Sequence, residues 1–205
     1  MKDIYFVFAD RDIEYTIITL LKERCNSLGI RPISYDKFKY GLKDSGCLKL
    51  SVNILRPKLN KYHHALVILD RDGCGKESME AVEIETELEN ELQKNGWDSN
   101  NAKVIVIDPE LEAWIWNGSD ELPKVLDWSG NYKSIEKFLV TEEILNPGQI
   151  KPDDPKTAFR AVLRKCQVPH SSRIYRKIAE KVSLSTCTDR SFNKFKETLT
   201  NWFSE

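Results

Sequence analysis

The chain has 205 residues, 40% hydrophobic and 31% charged, with 31 basic and 32 acidic side chains and a formal charge of -1. That length suits one domain of ordinary size or a compact domain with an extension, and eight Phe, seven Tyr and five Trp argue against disorder. No apolar run approaches the roughly 18–20 residues of a membrane span, and Asp10 and Asp12 interrupt the N-terminal apolar run where a signal peptide would continue, so a cytoplasmic protein with no membrane contact is expected.

Taken in order, residues 4–8 (IYFVF) form an apolar run too continuous to be half-exposed, which predicts a buried strand. Asp10 or Asp12 can N-cap the next helix, which carries Ile13, Ile17, Leu20, Leu21 and Leu28 at helical spacing and stops at Gly29. Residues 30–35 predict a second strand, with Pro32 confined to its start or edge. Residues 47–59 read as a weaker helix interrupted near Pro57. Residues 64–69 (HALVIL) predict the clearest strand, which runs directly into Asp70-Arg71-Asp72-Gly73. The long helix that follows takes Val82, Ile84, Leu88 and Leu92 as its inner stripe and Glu77, Glu80, Glu83, Glu87 and Glu91 as its outer face, with Gly96 as a stop. Residues 102–107 (AKVIVI) predict another buried strand, closed by Asp108-Pro109, and residues 110–116 begin a further helix. Strands alternating with helices imply crossover connections and an α/β fold with a mainly parallel, four-stranded sheet. After Asn117 the glycines and prolines punctuate short helices, with three expected at 155–165, 171–183 and 189–203. The expected organisation is an α/β domain over residues 1–117 followed by a helical subdomain over 118–205.

The five cysteines make an odd count without a CxxC spacing, which argues for reduced thiols rather than a disulfide framework or zinc knuckle. The near-zero charge is an average: residues 151–205 hold 12 Lys/Arg against 6 Asp/Glu, and the rest of the chain holds 19 against 26. An acidic front and a basic tail suggest an anionic partner.

In an open parallel sheet, function gathers at the carboxyl ends of the strands. Three such ends are acidic: Asp10, Asp12 and Glu14 after the first strand, Asp70 and Asp72 after the third, and Asp108, Glu110 and Glu112 after the fourth. A DxD at a strand exit places two carboxylates where they can share a hard cation. One magnesium, or a pair about 4 Å apart, would stabilise the attacking and leaving oxygens of a phosphodiester displacement. Asp-Arg-Asp-Gly is also ordinary turn chemistry. Gly73-Cys74-Gly75-Lys76 is no phosphate loop, because Asp70 occupies the place of the required leading glycine. Cys74 lacks a histidine at its end of the strand, and Trp114 and Trp116 read as core. Lys151, Lys156, Arg160, Arg164, Lys165, Arg173, Arg176, Lys177 and Lys181 form a basic run that reads either as a solvated face or as a phosphate-backbone contact.

The segments FVFADRDIEYTIITLL, HHALVILDRDGCG and VIVIDPELEAWIW together resemble a TOPRIM-like domain, as found in topoisomerases, primases and overcoming-lysogenization-defect nucleases. With KPDDPKTAFRAVLRK, SRIYRKIAEKVSLSTCTDRSF and FKETLTNWF added, nearly the whole chain resembles a small TOPRIM-like family encoded in bacterial methylation-associated phage-defence systems. The resemblance implies a Rossmann-like TOPRIM fold, a Mg²⁺ or Mn²⁺ cofactor and nucleic-acid cleavage in anti-phage defence, with nucleic acid and other defence-system proteins as partners. Asp70 and Asp72 match the DxD metal ligands, Glu14 a second acidic position of the first motif, and Glu112 the acidic residue of the EAW segment. The leading TOPRIM glutamate aligns with Ala9, and Asp10 is its neighbour. Three expectations follow. The first is a metal-dependent nuclease in which Asp70, Asp72 and either Asp10 or Glu14 hold the cation with support from Glu112. In it Lys151, Lys156, Arg160, Arg164, Arg173, Arg176 and Lys177 hold the polyanion. The second is a catalytically degenerate module that binds nucleic acid or a defence-system protein, and the third is a structural scaffold. A shared cation requires the carboxylates of Asp10, Glu14, Asp70, Asp72 and Glu112 to gather within about 8 Å.

Overall fold

The computed structural model describes residues 1–38 and 41–204. Four strands, β1 (Lys2–Phe8), β2 (Tyr35–Lys37), β3 (Tyr62–Asp70) and β4 (Ala102–Ile107), form one all-parallel sheet in the order β2-β1-β3-β4. The central pair is covered on both faces, so it reads as continuous apolar sequence: Ala65 to Leu69 are fully buried and Ile4 to Ala9 nearly so. Phe8 lies opposite Ile68 and Asp70 opposite Ile107, which brings the strand ends level. The chain leaves β1 toward β2 on one side and leaves β3 toward β4 on the other. The crevice between the carboxyl ends of β1 and β3 is therefore the topological switch point, where open α/β sheets bind ligands.

Helices α1 (Arg11–Glu23), α2 (Cys25–Leu28), α3 (Lys43–Leu55) and α4 (Ala81–Lys94) connect the strands. Asp10, not Asp12, caps α1, accepting from the N–H groups of Asp12 and Ile13 at 2.9 Å each. The second strand departs from the expected 30–35. It starts at Tyr35, and the apolar Ile30 packs as loop while Ser34 is held by the Asp3 carboxylate. Helix α3 begins at Lys43, ahead of the expected 47, and ends in a 3₁₀ turn at Arg56–Lys58, where Pro57 falls. In α4 the buried stripe is Ala81, Ile84, Leu88 and Leu92 together with Glu85, whereas Val82 is 52% exposed because it lies a hundred degrees round from Ala81. Glu77 precedes the helix, and Glu80 caps it in a reciprocal box with Glu83. The expected helix at 110–116 is a single 3₁₀ turn, Leu111–Trp114, after a cis Asp108–Pro109 bond.

Beyond Asn117 lie α5 (Glu121–Val125), α6 (Tyr132–Thr141), α7 (Pro155–Lys165), α8 (Ser172–Lys181) and α9 (Arg190–Phe203). Helix α8 packs on α1, and α9 on β4 and α2. Three indoles fasten these helices to the sheet side: Trp114 donates to Ser191 at 2.8 Å, Trp116 to the Pro155 carbonyl at 3.1 Å and Trp202 to the Asn100 carbonyl at 2.6 Å. The edge strand β4 is closed by side chains. Glu89 accepts from the Val104 N–H and Glu85 from the Val106 N–H, while Arg190 bridges Glu85 and the Val106 carbonyl. Among the described residues no helix is long and apolar enough to cross a membrane, and all five cysteines are free thiols.

Candidate active site

Each of the four strands delivers one carboxylate to the switch-point end of the sheet. Asp70 is the last residue of β3 and is 7% exposed. Its Oδ1 is buried and has no hydrogen-bond partner. Burial, then the negative charges of Asp44, Asp10 and Glu112, raise its pKa well above the carboxylate range, against the opposing charge of Lys156. Asp10 follows β1 and is raised too, by burial first, although the amides it caps favour its ionised form.

Asp44 follows β2. The Ala9 carbonyl accepts from both the Leu42 and Lys43 N–H groups, at 3.0 and 2.8 Å, which folds this connection back over the end of β1. Lys43 holds φ 53°, a left-handed conformation costly for a side-chain-bearing residue, and Asp44 comes out of it to accept the Asp70 N–H at 2.8 Å. Burial and the Asp10 charge push the Asp44 carboxyl up to about 6.

Glu112 follows β4, in the 3₁₀ turn, and is 3% exposed. It accepts the Tyr175 hydroxyl at 2.5 Å, and that oxygen also meets His170 Nε2 at 2.9 Å. Burial and the adjacent Glu112 carboxylate keep the phenol protonated, so Tyr175 holds Glu112 in one orientation. Lys156 enters from the first turn of α7 and pairs with Glu110. Burial disfavours its charge, but Glu110, Glu112 and Asp70 outweigh that and keep it an ammonium. Ser172 donates to Asp12 at 2.5 Å and ties the start of α8 to α1.

The remaining sequence candidates lie elsewhere. Asp72 is exposed in the turn after β3, and the charges acting most on Asp70 are those of Asp44, Asp10, Glu112 and Lys156. Glu14 pairs with Lys37 in a separate open cleft of about 380 Å³ lined also by Tyr15, Lys22 and Arg176. Asp108 is engaged by Arg71 at 3.0 Å. Of the basic run, Lys151 pairs with Asp189 at 3.3 Å and Arg176 with Glu180 at 2.8 Å, while Arg160, Arg164, Arg173 and Lys177 are exposed. Asp44, Tyr175 and the inward course of Lys156 were not found from sequence. Asp44 carried one usable signal, as the first acid after the second strand, in the opening turn of the next helix.

The donor set suits a hard cation: carboxylate oxygens, one of them buried and unpartnered. Among the described residues, no three Asp, Glu, His or Cys side chains are drawn together closely enough to hold an ion as they stand.

The raised Asp44 carboxyl has a pH consequence. Between about pH 4 and 6 the folded chain keeps a proton on Asp44 that the unfolded chain has released, so this group's contribution to stability falls as pH rises through that window. His64, lowered by burial to about 4, acts in the opposite sense, but it does so equally in a D44N variant. Urea unfolding in EDTA should therefore find D44N about 1 kcal/mol more stable relative to wild type at pH 7 than at pH 4.5, since solvent screens part of the effect. An equal difference at both pH values would remove the cluster's influence on Asp44.

No protein-family profile, curated protein or solved structure matches the chain.

Proposed function

We propose that the chain is a divalent-cation-dependent phosphodiesterase acting on nucleic acid, a TOPRIM-like nuclease of anti-phage defence. The observation that carries this reading is the buried, unpartnered Asp70 Oδ1 at the switch point, faced by Asp10, Asp44 and Glu112. A buried acceptor without a partner costs about 1–3 kcal/mol, and perturbed carboxyls in a crevice mark functional sites. Asp10, Asp44, Asp70 and Glu112 would hold the cation, with Asp10 serving in place of the glutamate that Ala9 replaces. A bound Mg²⁺ or Mn²⁺ supplies Lewis-acid polarisation of the phosphodiester and lowers the cost of ionising water. Tyr175 orients Glu112, and backbone N–H groups anchor Asp10 and Asp44, so an entering ion would draw together carboxylates that are each held separately. The exposed Arg160, Arg164, Arg173 and Lys177 would supply contacts to the phosphate backbone.

Ala9, together with the absence of a ready three-carboxylate group among the described residues, favours a second reading: a module that binds nucleic acid without cutting it. Incubating plasmid DNA and single-stranded RNA with Mg²⁺, Mn²⁺ or EDTA separates the two. The nuclease reading expects ion-dependent cleavage that D10A abolishes. Retention of nucleic acid in a gel shift, with no cleavage under any ion, establishes the binding module instead.

A further inference from the structure

The open cleft of about 380 Å³ that holds Glu14 lies between α1, β2 and α8, and the chemistry above leaves its lining unused. Local geometry explains which side chains reach it. Tyr15, Ile18 and Lys22 stand at i, i+3 and i+7 on one face of α1, and Tyr35 and Lys37 alternate onto one face of β2. Arg176 reaches in from α8, which packs on α1. Two kinds of group therefore share one space. The aromatic pair is unsatisfied: Tyr15 is 39% exposed, Tyr35 is half-buried and perpendicular to Phe6, and neither hydroxyl has a hydrogen-bond partner among the described residues. The cations differ in how far they are engaged. Lys37 pairs with Glu14 inside the cleft and Arg176 with Glu180 outside its lining, whereas Lys22 has no ion pair among the described residues. With Glu23 also present, three cations face two carboxylates.

We propose that this cleft receives one unpaired nucleotide of a nucleic-acid strand, its base against Tyr15 and Tyr35 and its phosphate on Lys22 and Arg176. The proposal gives the form of the substrate and rests on the nucleic-acid reading above, whether the chain cuts or only binds. The volume falls in the range of small-ligand pockets, so it suits a single unit rather than a duplex. Every base offers a π-face to a tyrosine, but in a duplex those faces are covered by neighbouring pairs, so only an unpaired base can use the two rings. Arg176 supplies a planar fork and the unpaired Lys22 a mobile point charge, the two usual ways of meeting phosphate oxygens. The cleft also adjoins the switch point, because Glu14 stands one turn beyond the Asp10 cap of α1, about 6 Å along its axis.

Fluorescence anisotropy in EDTA, with a short single-stranded oligoadenylate and a blunt duplex of equal length, tests the assignment on binding alone. Y15A should weaken the single strand about tenfold and change the duplex by less than about twofold. Tyr15 is exposed, so its removal spares the core, and Y15W keeps a ring and should bind as wild type, which separates lost stacking from damage to α1. K22Q should weaken the strand and lower the slope of its salt dependence by about one ion. Unchanged single-strand affinity in Y15A, or equal losses on both probes, overturns the proposal and leaves the nucleic-acid reading intact. An unchanged salt slope in K22Q overturns the phosphate position. Displacement of the strand by micromolar dAMP overturns the strand as ligand in favour of a free nucleotide. Wild-type protein that binds neither probe overturns the proposal and the nucleic-acid reading together.

Discussion

Replacing Asp70 by asparagine is expected to cut ion-dependent cleavage by about 10³-fold or more and, in the same variant, to raise the melting temperature measured in EDTA. The two effects share one cause. Asp70 is 7% exposed, its Oδ1 lacks a partner, and three negative side chains surround it, so the ion-free fold carries a carboxyl it holds at a cost. An asparagine is the same size, has no charge to repel, and brings an N–H₂ that can donate to a neighbouring carboxylate. Relief of about 1 kcal/mol corresponds to roughly 2–4 °C for a chain of this length. Adding Mn²⁺ reverses the order, because an ion that binds only the folded wild type stabilises it by mass action and leaves the variant unchanged. Thermal melts with and without Mn²⁺, run beside a cleavage assay, check all three statements. A D70N protein that melts below wild type in EDTA would show that the carboxyl stabilises the fold.

Glu85→Ala should be the most damaging single change away from the site, at about 3 kcal/mol, or roughly 6–12 °C in melting temperature. Glu85 is 2% exposed, and its two oxygens accept from the Val106 N–H at 2.8 Å, from Arg190 at 2.9 and 3.0 Å and from Lys194 at 3.0 Å. Alanine leaves the Val106 N–H and two cations without this acceptor, and it opens a cavity between α4 and β4. It also uncovers part of an edge strand, so the variant should aggregate on partial unfolding. Glu85→Gln keeps an acceptor for the backbone and should lose less than half as much. Urea denaturation of both variants measures this, and equal losses would place the stabilisation in the charge alone.

The sheet was legible where burial on both faces leaves a continuous apolar signature, as in 4–8, 64–69 and 102–107. It was misread at its edge. Ile30 and Ile33 imitate a strand because they pack as loop, while the true β2 is three half-buried residues, Tyr35–Lys37, with no periodicity to detect. That misplacement hid Asp44, whose role depends on the return of the β2–α3 connection over Ala9. Val82 misled because helical spacing alone does not fix which of two adjacent residues faces inward. The acidic strand ends were readable as a group, but their members sort by environment: Glu14 turns to Lys37 and Asp108 to Arg71, while the charges of Asp10 and Glu112 act on the buried Asp70. The charge split between front and tail was visible in composition. Composition carries no direction, and so it could not reveal that Lys156 points at the acids.

The order in which the parts of the cluster leave the ribosome differs from the order in which they are needed. Asp10, Asp44, Asp70 and Glu112 all emerge before Lys156 and Tyr175, the residues that neutralise and orient them. A nascent chain that has closed its four strands therefore carries a bare nest of negative charge until the seventh and eighth helices arrive.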